Sequence, residues 1–149
     1  MADLSDFARL VAIENGLSVI SAHRPDGTIH SSVVNAGVLA HPETNFNVVG
    51  FVALGGSSKL LYLRVWPIAT IVVRVGWEWV AVEGETTLIG PKDPDPRFSE
   101  WDRKQLLRDV FSAAGGTHGD WDAYDRTMTE EGRTVVLISP GRMYTNRRR

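Results

Sequence analysis

The sequence contains no cysteine. Disulfide bonds and thiolate-bound metal sites are therefore excluded, and the absence is compatible with a reducing cytoplasm. Histidine is sparse as well, and the spacing of its four positions is not typical of metal ligands. These positions are His23, His30, His41 and His118. We therefore predict no metal site.

Long apolar runs and a strong charge of either sign are also missing. The longest apolar stretch, residues 65–73, is interrupted by Pro67 and Thr70 and is too short to span a bilayer. The first ten residues carry acids where a signal peptide would carry basic groups. A net charge of −2 does not favour a general nucleic-acid binder, which needs a basic face. We expect a cytoplasmic protein without a membrane or nucleic-acid partner.

What is present suits one folded domain. The 149 residues are 43% hydrophobic, which is enough for one sizeable core. No internal repeat or long linker divides the chain, so we predict a single domain over residues 1–149.

Two-residue periodicity and β-branched runs predict six strands, and helical spacing predicts four helices. The predicted strands are a hairpin over residues 17–38, then residues 47–54, 68–75, 77–89 and 134–144. The predicted helices lie near residues 3–14, 60–65, 98–114 and 121–128. The apolar strand 68–75 is expected to be buried on both faces. Short connections between most strands predict a mainly β, α+β protein built on an antiparallel barrel.

The segment GGSSKLLYLR, residues 55–64, is the most informative. Two glycines allow close approach of a ligand to the backbone, and Ser57 or Ser58 can cap the helix that follows. A helix amino terminus attracts anions, and Lys59 and Arg64 add full positive charges. Lys59 opposes the helix dipole, which a bound phosphate would explain. The alternative interpretation is a capped surface helix with two solvated cations.

A second cluster, Trp77-Glu78-Trp79, lies at the start of the longest predicted strand. Two tryptophans on one strand face can stack on a planar cofactor or pack in a dimer interface. The acidic residues show no paired arrangement typical of acid–base catalysis, and no nucleophile elbow is present. The residues alone therefore indicate a binding site more clearly than a catalytic centre.

The ordered features resemble the pyridoxamine 5'-phosphate oxidase-like split β-barrel family, especially its actinobacterial branch that uses coenzyme F420, a deazaflavin. The features are the hairpin SVISAHRPDGTIHSSVV, the segment VALGGSSKLLYLRVWPIATIVV, the strand ending VAVEG and the closing strand RTVVLISPGRMY. The resemblance implies an antiparallel split β-barrel, similar to FMN-binding proteins. It also implies a homodimer with two cofactor sites at the subunit interface, which five tryptophans and Val/Ile-rich strands favour independently.

The resemblance also implies positions for the cofactor. It puts His30, Ser31, Ser32, Val33 and Val34 along an isoalloxazine-type ring, and Ala53 and Leu54 beside the polar edge of that ring. It puts Ser57, Ser58, Lys59 and Arg64 at the phosphate, and Trp79 near the position just before the valine-x-valine-glutamate-glycine motif.

The first functional hypothesis is an F420-dependent reductase that transfers hydride to an unsaturated or quinone-like small molecule. Glu78 stands where the resemblance implies an arginine, and Trp79 where it implies a polar residue, so FMN binding is less favoured. The alternatives are a non-catalytic F420 carrier and an FMN-binding oxidase-like enzyme.

Overall fold

Six strands, each antiparallel to its neighbours, close into a barrel in the computed structural model, which describes residues 2–147. Around the barrel the strands follow the order β1-β2-β3-β6-β5-β4. They are β1 (Leu17–His23), β2 (Ile29–Ala40), β3 (Asn47–Ala53), β4 (Ile68–Val75), β5 (Glu78–Ile89) and β6 (Thr134–Thr145). The predicted antiparallel barrel is thus confirmed, with every strand within two residues of its expected bounds.

Four helices flank this barrel: α1 (Leu4–Ile13), α2 (Ser58–Val65), α3 (Glu100–Ala113) and α4 (Trp121–Glu130). Helix α1 begins with a capping box in which Asp3 accepts from the backbone of Asp6 and the Asp6 carboxylate accepts from that of Asp3. It ends at Ile13, and Asn15 and Gly16 just after it both have positive φ, as the Asn-Gly pair predicts. Ser99 caps α3, so that helix begins at Glu100 rather than near Phe98.

Alternation along the strands fills the barrel interior. Even-numbered residues of β1 and β5 and odd-numbered residues of β4 face inward, as the buried Ile20, Val82 and Ile71 show. Helix α1 adds Phe7 to the same cluster and α2 adds Leu60. A second cluster lies outside the barrel, where α3 packs on β2, β3 and β6. Helices α1 and α2 contact β1, β4 and β5, but their buried residues join the interior cluster, and Val19 and Ile68 are exposed on the outer face of these strands.

That uncovered face corrects one expectation. Strand β4 is buried on its inner side only, and Ile68 and Arg74 are exposed on the other. The β-branched run was misleading because β-branched residues suit any pleated surface, whether or not both faces are covered. Pro140 lies where a register shift between β5 and β6 leaves Gly141 unpaired, which confirms the bend expected there. Over residues 2–147 we find no helix with the length and apolar character needed to cross a membrane.

Candidate cofactor site

The two edges of β2 differ along its length. Residues 29–35 pair with β1 on one edge, and residues 36–40 pair with β3 on the other. Among residues 2–147 no strand pairs with the second edge of residues 29–35. Backbone N–H and C=O groups on such an edge are available to a ligand. The predicted ring-binding residues, 30–34, all lie on this half of β2.

The side chains of this segment do not share one face. Ser31 and Val33 point outward; Ser31 Oγ lies 2.8 Å from Ser21 Oγ, and the Val33 side chain is 63% exposed. His30, Ser32 and Val34 have the opposite orientation because successive strand residues alternate. The His30 ring packs edge-on to Tyr62 of α2, Val34 joins the core, and Ser32 Oγ is buried without a hydrogen-bond partner. A ring along the free edge would thus meet backbone from all five residues but side chains from only some.

The start of α2 is held against the start of β6. Gly55 N–H donates to the carbonyl of Glu131 at 3.1 Å. A Cβ on Gly55 would lie 2.5 Å from the carbonyl oxygen of Gly132, so only glycine allows this approach. The preceding Ala53 is buried and faces inward, whereas Leu54 is 45% exposed. The segment after β3 therefore brings the amino terminus of α2 next to Arg133.

Ser57 occupies the N-cap position of α2, as predicted, but its side chain does not cap the helix. Its Oγ is buried and has no hydrogen-bond partner among residues 2–147. Ser58, the first helical residue, is exposed. The first backbone N–H groups of a helix lack intrahelical acceptors, so this end of α2 offers both a hydroxyl and backbone donors to an anion.

Lys59 is half-buried in the first turn of α2 and forms no ion pair within residues 2–147. Burial lowers the pKa of Lys59, and the nearby charge of Arg133 lowers this pKa further. Arg133 itself bonds one acid, since its Nε lies 3.1 Å from Glu131 Oε1. Lys59, Arg133 and the amino terminus of α2 thus lie near one another, and this excess of positive charge is the electrostatic pattern of an anion site.

Arg64 does not join them. It lies in the last turn of α2, where Nε and Nη2 donate to the two carboxylate oxygens of Asp93 at 2.9 and 2.8 Å. This bond to Asp93 raises the pKa of Arg64. The guanidinium anchors the proline-rich loop after β5 to the helix, and its charge is already neutralised.

Trp79 lies at the opposite end of the barrel from α2. It pairs with Arg74 of β4, whereas α2 joins β4 at its first residue, Ile68. Six residues of extended strand separate Ile68 from Arg74, a distance of about 20 Å. Its ring meets Tyr144 edge-on, and its backbone bonds Thr145 and Asn146. Within one chain Trp79 is therefore separate from the other predicted site residues.

Comparison with known proteins supports the architecture. No protein-family model matches the chain, and no curated protein matches it. Solved structures do. A conserved hypothetical protein from Mycobacterium tuberculosis is 16% identical, with a TM-score of 0.68 over 97% of this chain and 84% of that one. A pyridoxamine 5'-phosphate oxidase-related, FMN-binding protein from Nostoc punctiforme is 15% identical, with a TM-score of 0.62 and the same coverage.

An F420 reductase is also similar, with 15% identity and a TM-score of 0.58 over 87% of this chain and 90% of that one. The chain has the split-barrel fold of pyridoxamine 5'-phosphate oxidase-like proteins. The resemblance inferred from the sequence is thereby confirmed at the level of the fold. This split barrel carries two helices, α3 and α4, between its last two strands.

Sequence reasoning missed Arg133. It begins the closing-strand motif RTVVLISPGRMY, but nothing in the spacing shows that residues 131–133 meet residues 55–59. The glycines at positions 55 and 132 were a usable signal, because glycine often marks a place where two backbone segments approach closely. In the structure Gly132 has positive φ and lies against Gly55.

Proposed function

We propose that the chain binds coenzyme F420 along the free edge of β2, with the cofactor phosphate at the amino terminus of α2. The observation that carries the proposal is the convergence of Lys59, Arg133 and the unpartnered Ser57 hydroxyl on that helix end. A phosphate would accept from all three groups and would relieve the repulsion between the two cations.

The chemistry proposed is reduction of an unsaturated or quinone-like small molecule. A reduced deazaflavin supplies the hydride, so no general acid or base of the protein is required. The chain's own contribution is to hold the cofactor by its phosphate, to orient the ring along residues 30–34 and to keep water from the reacting atoms.

F420 is preferred over FMN on the sequence resemblance, and one similar structure is an F420 reductase. The Glu78 and Trp79 departures support the preference only across a dimer, because both residues lie far from α2 within one chain. Glu78 is also engaged by Arg9 of α1 and by Arg147. Side-by-side titration of the apo-protein with F420 and with FMN tests the preference. Tight FMN binding without F420 binding would establish the FMN-dependent alternative.

Catalysis is tested separately from binding. Oxidation of reduced F420 by menadione, followed by absorbance, should accelerate when the protein is added. Tight binding of F420 with no acceleration for any quinone or enone acceptor would favour the carrier alternative. A cytoplasmic location stays a prediction, which cell fractionation checks.

We also propose that a second copy of the chain covers the outer face of β1, β4 and β5. Strand register aligns one row of outward side chains across five strands. The row consists of Val33, Val19, Val72, Ala81 and Tyr144. Val33 and Val19 are 63% and 43% exposed, and exposed apolar surface of this extent is typical of an interface.

Light scattering tests the dimer. The parent chain should be a dimer at micromolar concentration, and Val33→Lys should shift it to a monomer because a buried, unpaired charge is costly at an interface. Ser112→Lys, on the exposed side of α3, is the matched control and should stay dimeric. A monomeric parent chain would contradict the proposal.

A further inference from the structure

A cavity of about 220 Å³ lies beneath α3 and α4, beside the middle of β2 and the end of β3. Its wall includes Asn35 and Val52. Asn35 follows the segment proposed to lie along the cofactor ring, and Val52 precedes Ala53. The cavity therefore begins where the proposed cofactor groove ends.

The walls are apolar and aromatic. The lining side chains without a formal charge or amide are Val52, Val110, Phe111, Ala114, Tyr124 and Met128. The Tyr124 hydroxyl donates to the carbonyl of Leu107 at 2.9 Å, so the ring of Tyr124, and not its hydroxyl, is available to a ligand in the cavity. Burial raises the pKa of Tyr124 to about 12, which keeps the hydroxyl protonated in this bond. Such walls suit a planar, apolar molecule.

Two polar groups line the same cavity, the amide of Asn35 and the guanidinium of Arg133. Arg133 also lines a smaller neighbouring cavity of about 120 Å³, and Met128 is the other residue that the two share. Arg133 thus lines the apolar cavity and also lies near Lys59 of the anion site at α2. A ligand oxygen with negative charge, or one that gains it during reaction, would be stabilised there.

Contacts between α3 and α4 hold these two helices together over the cavity. Arg108 of α3 donates to both carboxylate oxygens of Asp125 in α4, and its guanidinium lies 5.4 Å from the centre of the Trp121 ring. The Phe111 ring contacts Tyr124 at a centroid distance of 5.0 Å. These contacts fix α4 over the barrel, so the chamber exists without a ligand.

From this geometry we infer that the cavity is the acceptor site: it binds a one- or two-ring conjugated carbonyl compound with its oxygen towards Arg133. The inference rests on the proposed function. The volume lies below the range of about 300–1,000 Å³ typical of drug-sized ligands, so the acceptor is small. A bound reduced deazaflavin would supply hydride to the β-carbon of the acceptor and would release its N–H proton to solvent as it is oxidised. The role of the chain would be to hold the carbonyl oxygen at Arg133, which would stabilise the negative charge that this oxygen gains until a proton from water completes the reduction.

The probes that test the cavity are 2-naphthoate and 2-naphthamide, which share a ring system and differ in charge. Calorimetry on the apo-protein should show tighter binding of 2-naphthoate, because Arg133 can pair with its carboxylate. Arg133→Gln should weaken 2-naphthoate by at least about tenfold and remove the preference. Arg126→Gln removes the same charge at an exposed position of α4. It is the matched control and should change neither affinity.

Met128→Trp, which fills the chamber, is the decisive variant. It should abolish binding of both probes and leave F420 affinity within about twofold, whereas Thr127→Trp, at an exposed position of α4, should leave both unchanged. Ala114→Met fills the cavity from the side of α3. It replaces Met128→Trp in this test if Met128→Trp melts at a lower temperature than the parent chain. Saturating F420 should not displace 2-naphthamide, whereas it should weaken 2-naphthoate, because the cofactor phosphate and the naphthoate carboxylate share Arg133.

Undiminished probe binding in both cavity-filling variants, or displacement of 2-naphthamide by F420, would overturn the acceptor site. Failure of F420 to bind the parent chain, with the probe results as expected, would instead refute the proposed cofactor and leave a small-molecule site in this cavity.

Discussion

The two ends of α2 carry one predicted phosphate-binding cation each, and the fold treats them differently. Lys59, at the amino end, opposes the helix dipole, has no ion pair within the described residues and lies near a second cation. Arg64, at the carboxyl end, is favoured by the dipole and holds Asp93 through two hydrogen bonds. A cation therefore indicates an anion site only where the fold leaves its charge unbalanced.

The sharpest test of this contrast is Lys59→Ala. Loss of one charge-assisted contact worth about 1.5–3 kcal/mol should weaken F420 binding by about tenfold to hundredfold in a fluorescence titration. Fold stability should hardly fall, because an unfavourable interaction with the helix dipole is removed. The loss should shrink at high salt. Lys92→Ala, an exposed loop lysine, is the control; if both variants bind F420 like the parent chain, the phosphate does not lie at Lys59.

The opposite profile is expected for Arg64→Ala. Asp93 would lose both its hydrogen bonds from Arg64, so the free energy of unfolding should fall by about 1–2 kcal/mol in urea titration. F420 affinity should change by less than about threefold. A loss of affinity as large as that of Lys59→Ala would show that Arg64 leaves Asp93 for the phosphate on binding, and the contrast between the two helix ends would then be wrong.

Ser57→Ala should affect binding alone. The Oγ is buried without a partner, so its removal should leave stability unchanged or slightly raised. The hydrogen bond from the neutral hydroxyl to the charged phosphate lies at the lower end of the charge-assisted range, about 1.5 kcal/mol, so F420 affinity should fall by about tenfold. Ser58→Ala, at the exposed neighbouring position, is the control. A clear loss of stability in Ser57→Ala would indicate that the hydroxyl supports the fold instead.

The smallest effect concerns pH. Because the folded state lowers the pKa of Lys59 from its ordinary 10.5, the unfolded chain binds more protons than the folded chain just below pH 10.5. The contribution of Lys59 to stability should therefore increase as pH rises through this range, and Lys59→Met should remove that slope. Urea titrations of both proteins at several alkaline pH values measure it. Identical slopes would show that the environment of Lys59 does not disfavour its charge.

The elements of the fold could be predicted from sequence because their causes are local. Asn15 and Gly16 take up the left-handed conformation that ends α1, and Gly76 with positive φ turns β4 into β5. The exception is instructive: the apolar composition of β4 is the same whether its outer face meets a helix, a second subunit or water. Composition therefore reports that a strand can be buried, and only packing shows what buries it.

The candidate site was predictable only in part. Local rules identified the α2 amino terminus and Lys59, since glycines, a cap position and a first-turn cation all lie within one short segment. Alternation along β2 divided five consecutive predicted residues between two faces, which a position-by-position transfer from a resemblance does not consider. Arg133 was missed, because its place beside Lys59 depends on a contact between segments far apart in the chain.

By itself the sequence determined where helices and strands begin and end and which helix terminus could bind an anion, because capping, turn conformation and side-chain periodicity act over a few residues. Only the tertiary structure decided which cations remain unpaired and where a chamber forms. Arg64 and Asp93 are separated by 29 positions, and Arg133 reaches both the anion site and the cavity through the closure of the barrel. Such charge balance depends on distances in space, which the local pattern of residues does not contain.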